Sequence, residues 1–316
     1  MENIAIIITG QIRTFFSNNY FTDVLNRCID NYNKILIICV INSNNQNDFI
    51  SLKNYFSNFK IHELILINYS DEKYQNEYNI KMNDKYNNPK FLEIRNKYMN
   101  LNTDAHKEIY DPITCSNSIP IQFHQISTGI QKLIDYQNQT NINFDITFKT
   151  RFDIRYPNNF YPHIHKSDNI IDILSFNDIN KNLLLNAMNK YNLETLDDLI
   201  DFNKNNVIKP HDCRIKNKDH LAFSFGGEYV SNYISLEYIK SGNKNILYSF
   251  GDFFEFGKTI NMIYFNNLFN DFWIKEPNVD ELYNHFYSPE IQIILFCLNN
   301  NLSILFYNND SFLYVR

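Results

Sequence analysis

Apolar positions in the first 68 residues fall in short continuous runs, separated by stretches in which apolar residues recur every three or four positions. The runs NIAIIIT (3–9), KILIICVIN (34–42) and HELILIN (62–68) have the pattern of strands buried on both faces. Between the first two, a helix is expected from about Ser17 to Tyr32. Between the second and third, Phe49, Leu52, Phe56 and Phe59 recur at helical spacing. Short strands alternating with single helices predict a parallel sheet with right-handed crossovers, an α/β layer fold.

The rhythm breaks over residues 69–118, a polar stretch rich in tyrosine and asparagine and too long for an ordinary connection. It reads as a helical excursion or a lid. Ser118 then offers an N-cap and Pro120 a first-turn proline, and Ile126, Ile130, Leu133 and Ile134 continue a helix to about Gln137. A fourth strand follows from Asp145 to Ile154. The second half is less regular. Strands are expected at 169–176, 219–227 and 302–308, and one or two helices within 180–203. Further helices are expected from Glu228 to Ile239 and from Ser288 onward. No repeat and no linker rich in Gly, Ser or Pro divides the chain, so 1–316 reads as one unit with a 1–155 half and a 156–316 half.

Two strands carry polar residues where a core strand would carry valine. On the fourth, a period of two sends Thr147, Lys149, Arg151 and Asp153 to one face. Buried charges are costly unless they pair or hold a ligand. In open α/β sheets ligands bind beyond the carboxyl ends of the strands, where Arg151 and Asp153 would lie. The same residues would also suit an internal Arg151–Asp153 ion pair. At the equivalent place after strand one stand Thr9, Gly10, Gln11 and Arg13. Gly10 permits a tight turn or close backbone approach, and the following helix would offer N–H groups to an anion. This is neither a G-x-G-x-x-G fingerprint nor a P-loop. The two stretches read as halves of one anionic-substrate site.

Composition narrows the classes. The 44% apolar and 16% aromatic content suits a globular protein. Only 7 glycines, against abundant Asn, Ile, Tyr and Lys, suggest an AT-rich genome such as that of a large DNA virus, so Asn-rich patches carry little chemical meaning. A net charge of −6 gives no basic footprint for nucleic acid. The five cysteines are scattered without a CxxC pair and read as reduced thiols. No basic-then-apolar leader opens the chain, and no apolar run approaches a membrane span, so the expected setting is cytoplasmic (host cytosol if viral).

In order along the chain, TGQIRTF (9–15), FDITFKTRFDI (144–154), KDHLAFSFGGEYVSNY (218–233) and SPEIQIILFCLNNNLSI (288–304) resemble the motifs of polysaccharide and lipopolysaccharide glycosyltransferases. Those enzymes carry G-Q-x-R near residue ten, then R-x-D, D-Q-F-A-x-G, and a P-E that opens a late helix. The resemblance implies a GT-A-like (Rossmann-like), mostly parallel sheet flanked by helices. It also implies a nucleotide-sugar donor, UDP-sugar above all, and transfer to a glycan hydroxyl. It places Thr9, Gly10, Gln11, Arg13, Lys149, Arg151 and Asp153 at the donor. Asp153 stands in the place of a D-x-D metal motif, with Mn²⁺ or Mg²⁺ implied, but Arg151 replaces the first carboxylate. Asp219 becomes the candidate general base and Glu290 a catalytic or acceptor-binding acid. His285 is a further metal candidate, as are His211–Asp212 and the His163/His165 pair, and Tyr156, Tyr161, Tyr283 and Tyr287 are candidates for stacking on a ring. The alternative is a non-catalytic protein that keeps the scaffold.

Overall fold

The computed structural model describes residues 1–12, 15–17, 20–101, 118–156, 160–164, 182, 185–186, 188–195, 197–199, 201–202, 219–224, 231–237, 245–250, 254–272, 289–306 and 313–314. Its strands are β1 (Ile4–Gly10), β2 (Ile35–Ile41), β3 (Glu63–Asn68), β4 (Ile146–Arg151), β5 (Ile154–Arg155), β6 (His220–Ser224), β7 (Ser231–Ser235), β8 (Ile246–Phe250), β9 (Phe254–Lys258), β10 (Ser303–Phe306) and β11 (Leu313–Tyr314). The longer helices are α1 (Tyr20–Asn31), α2 (Gln46–Phe56), α3 (Glu72–Tyr86), α4 (Pro89–Leu101), α5 (Ser118–Thr140) and α6 (Pro289–Asn299).

Nine strands form one sheet in the order β3-β2-β1-β4-β9-β8-β10-β7-β6, and β5 pairs with β11 apart from it. The four strands of the first half are parallel neighbours throughout. Beyond β4 the sheet is mixed. Only β9 and β7 run against the rest, so the sheet is mostly parallel in strand direction. Antiparallel pairing of β4 with β9 joins the two halves.

The first two apolar runs predict this burial well, whereas the third, β3, is an edge strand that is mostly part-exposed, with only Ile67 buried. Ile4 to Ile8 and Ile35 to Ile41 are almost wholly enclosed, because helices cover both faces. Phe21, Val24 and Leu25 of α1, with Leu52 and Phe56 of α2, pack on one face against Ile6, Ile8, Ile37 and Cys39. Phe123, Ile126, Ile130 and Leu133 of α5 pack on the other against Ala5, Ile7, Leu36 and Ile38. Gly129 lets α5 lie close to the sheet, since a Cβ there would stand 2.5 Å from Ile7 Cγ2. The 69–118 excursion is helical where described, as α3 and α4.

Three expectations are corrected. The helix predicted from Glu228 to Ile239 contains β7 instead, paired with both β6 and β10. Tyr233 and Ile234 pack into opposite cores, and two adjacent buried residues are as consistent with a fully buried strand as with a helix. The fourth strand ends at Arg151: Phe152 and Asp153 make a turn, and the chain resumes as β5 in the small sheet. Strands β8 and β9 were not expected at all. The predicted strand at 169–176 lies outside the described residues.

Candidate functional site

The chain lays β2 and β3 to one side of β1 and returns through α5 to place β4 on the other side. The order of strands therefore reverses between β1 and β4, and their carboxyl ends flank a crevice of the kind where α/β sheets bind ligands. The two polar stretches do meet there: Thr9 pairs in register with Arg151, and Ile7 with Lys149.

Gly10 ends β1 with φ at +109°, a backbone state that strains any residue with a Cβ. Among the described residues, no atom beyond its chain neighbours lies within 4 Å of where that Cβ would stand, so the space in front is open. Its carbonyl accepts from the Asn42 N–H at 3.1 Å, which fixes the turn to the end of β2. Gln11 is exposed at the mouth. The chain is anchored again at Phe15, whose ring meets Phe152 edge-on at 5.2 Å. Arg13 lies outside the described residues.

On the opposite wall Arg151 and Asp153 form a two-pronged pair, Nε to Oδ1 at 3.0 Å and Nη2 to Oδ2 at 3.1 Å. The Arg151 side chain keeps 21% exposure and Asp153 only 7%. The turn at Phe152–Asp153 folds the carboxylate back onto the guanidinium and fixes its plane at the strand end. The guanidinium is the more exposed partner of the pair.

Lys149 does not reach the crevice. Its Nζ is 3.1 Å from Glu255 Oε2, and both side chains are fully buried beneath the strand ends. Glu255 lies opposite it in register on β9. Sequence reading placed Lys149 at the donor; the structure makes it half of an internal ion pair, because its cross-strand neighbour carries the matching charge.

The two candidate acids part company. Asp219 precedes β6, five strand positions from β4 and at the amino rim of the parallel strands, roughly 24 Å to the side at about 4.8 Å per strand. Its carbonyl accepts from Leu236 N–H. The structure thus keeps Asp219 away from the β1/β4 crevice, which corrects its assignment as the base acting there. Glu290, half-buried in the first turn of α6, sits differently. That helix packs on the sheet and turns tightly into β10 through Asn301, whose φ of +54° closes the turn. It therefore runs antiparallel to β10, three strand positions from β4, and puts Glu290 at the carboxyl rim on the sheet face that carries Ile7.

Sequence reading missed Asn42, Asn68 and Ser70, which continue the polar rim next to Gly10. Ser70 Oγ donates to Asn42 Oδ1 at 3.0 Å. The signal was present: β1, β2 and β3 each end an apolar run on Gly or Asn. Of the stacking candidates, Tyr156 is buried against Phe160, its hydroxyl bonded to Thr150, and burial pushes its pKa well up. Tyr161 lies against His163. Tyr283, Tyr287, His165, His211, Asp212 and His285 fall outside the described residues.

A divalent ion implied by the motif resemblance finds little to hold it. Of the predicted ligands Asp153 and His163 are described; both Asp153 oxygens are engaged by Arg151, His163 Nδ1 lies 3.1 Å from the Tyr161 carbonyl, and among the described residues no three His, Cys, Asp or Glu converge. The cation built into this crevice is a guanidinium. No described helix is long and apolar enough to cross a membrane. Compared with known proteins, the chain matches no family model and no curated protein sequence.

Proposed function

We propose that the protein is a glycosyltransferase of GT-A-like fold that takes a nucleotide-sugar donor, a UDP-sugar above all, and transfers the sugar to a glycan hydroxyl. The observation that carries this reading is the adjacency of Thr9-Gly10 and Arg151 across the β1/β4 crevice. Gly10 ends its strand in open space, and the neighbouring strand ends on a guanidinium paired two-pronged with Asp153. A planar guanidinium suits a diphosphate, through charge-assisted hydrogen bonds that strengthen as the leaving nucleotide gains charge. In this reading Arg151 does that work, Asp153 positions it, and Gly10 leaves room for the phosphates.

Attack by an acceptor hydroxyl needs a group to take its proton. Glu290, at the same rim as Arg151, is the carboxylate assigned here. The test is transfer or hydrolysis, read as nucleoside diphosphate released from each of a panel of UDP-, GDP-, dTDP- and CMP-sugars, with and without Mn²⁺. The reading requires release from one donor, lost in Arg151→Ala and partly kept in Arg151→Lys. Glu290→Gln should lower kcat with little change in donor KM. Absence of turnover and of binding for every donor would contradict it.

A second reading, a non-catalytic scaffold, draws on the saturation of Asp153 by Arg151 and on the distance of Asp219 from the crevice. It requires that folded protein bind no donor.

A further inference from the structure

A cleft of about 270 Å³ lies on the α5 face of the sheet beside β3, two strands away from the β1/β4 crevice. Its walls come from α3, α5 and the 259–271 segment, with Tyr74, Glu77, His124, Gln131 and Asn266 at the positions that matter. We infer that this cleft is a binding site for a small polyhydroxylated ligand of about one sugar ring, read by His124 and Glu77.

The argument starts with His124, which is 2% exposed yet lines the cleft. The Tyr69 hydroxyl lies 2.8 Å from its Nδ1. A buried phenol needs an acceptor for its proton, and Nδ1 supplies it, which leaves the imidazole proton on Nε2. Burial lowers the pKa of His124 to about 4, so the ring is neutral near pH 7. Tyr78 and Phe269 pack edge-on against the ring and hold Nε2 in place.

Glu77 Oε1, which also pairs with Lys81 Nζ at 3.0 Å, lies 4.0 Å from Nε2, beyond a direct hydrogen bond. A donor and a carboxylate so spaced suit a group that accepts from one and donates to the other, as a hydroxyl does and a simple anion or cation does not. The far wall is ordered as well: Asn266 Nδ2 donates to Gln131 Oε1 at 2.9 Å, and Gln131 Nε2 donates to Asp135 Oδ1 at 2.8 Å. Tyr74, stacked on Tyr69 at 6.0 Å, adds an aromatic wall for the C–H face of a ring.

The charges on the wall are mixed: Lys73, Lys81 and Lys132 share it with Glu77 and Asp135, and Lys81 pairs with Glu77 at 3.0 Å. No three metal-type ligands gather among the described residues. The volume falls just under the roughly 300–1,000 Å³ of pockets for drug-sized ligands, which fits one ring rather than a chain of them.

The inference stands whatever occupies the β1/β4 crevice. It is tested by saturation-transfer NMR on the full chain with free hexoses, deoxyhexoses, pentoses and N-acetylhexosamines, and with their methyl glycosides. At least one should show transfer, with a dissociation constant raised tenfold or more in Glu77→Ala and unchanged in Arg151→Ala. A methyl glycoside binding as well as the free sugar would point to the end of a glycan chain, and loss on methylation to a free monosaccharide. Glu77 is half-exposed, so the variant should melt like wild type; His124→Gln gives a second reading of the same pair. No transfer from any sugar by folded protein would overturn the inference and leave a water-filled cleft. Transfer that survives Glu77→Ala but is lost in Arg151→Ala would overturn it too, placing the sugar in the crevice.

Discussion

The two halves of the sheet are built on different terms. In β3-β2-β1-β4 each strand is six or seven residues long, parallel to its neighbours and covered by helices on both faces. In β9-β8-β10-β7-β6 the strands are four or five residues long, and antiparallel pairings dominate. The first half gathers most of its buried polar strand side chains on β4, as Thr147, Lys149 and Thr150, whereas the second spreads them across its strands, with His220, Asn232, Ser249 and Glu255. The candidate site, at the carboxyl ends of β1 and β4, lies beside the seam where β4 meets β9.

The seam offers the sharpest way to break that contrast. Lys149→Ala or Glu255→Ala leaves one fully buried charge without its partner, and either should cost about 3–5 kcal/mol in urea unfolding. The double change to Met and Leu should restore most of that loss. If either single change is neutral, the pair does not hold the halves together.

Acid compares the two halves directly, since among the described residues each has one fully buried imidazole. Burial lowers the pKa of both His124, facing Glu77 and Lys81 of α3, and His220, facing Asp219 and the Leu302 carbonyl, to about 4. Between pH 6.5 and 4 the unfolded chain takes up protons that the folded chain refuses. Stability is therefore full above 6.5 and falls as pH drops to about 4, by on the order of 2–3 kcal/mol per histidine. His124→Gln or His220→Gln should each remove about half of the slope. Lys85 adds a second arm. Buried on α3, it donates to the Asn270 and Phe272 carbonyls, and burial lowers its pKa to about 7 despite Asp271 nearby. Stability should rise again from about pH 7 to 10.5 as the unfolded chain alone holds that proton, and Lys85→Met should flatten this rise.

Close packing gives a smaller effect, of about 1–3 kcal/mol. In the second half a Cβ at Gly257 would stand 2.9 Å from the Ile246 carbonyl, a backbone atom with little room to yield; in the first, a Cβ at Gly129 would meet only Ile7 side-chain atoms and Val40. Gly257→Ala should therefore destabilise more than Gly129→Ala in parallel urea titrations. The reverse order would mean that the parallel core is the less forgiving of the two.

How much could be read from the sequence follows the same division. Parallel strands buried on both faces announce themselves as apolar runs, so β1 to β4 and the crevice between two of them were legible. Asp153 was placed on the Arg151 face by strict alternation, and it reaches that guanidinium through a turn that alternation does not describe. Asp219 matched a motif in sequence, but pairing along β7 carried it to the far rim, which spacing alone cannot reveal. The 231–235 segment has no period that separates strand from helix, and only its pairing with β6 and β10 decides the matter. The His124–Glu77 pair joins two helices whose packing no local pattern encodes.

The most direct test of the central claim, that the carboxyl ends of β1 and β4 hold a nucleotide-sugar diphosphate, is thermal unfolding with the UDP-, GDP-, dTDP- and CMP-sugar panel. A donor at about 100 times its dissociation constant adds roughly 2.7 kcal/mol, which should raise the Tm by roughly 5 °C for one base and vanish in Arg151→Ala. A Tm unmoved by every donor, or a shift that Arg151→Ala leaves intact, would contradict the account.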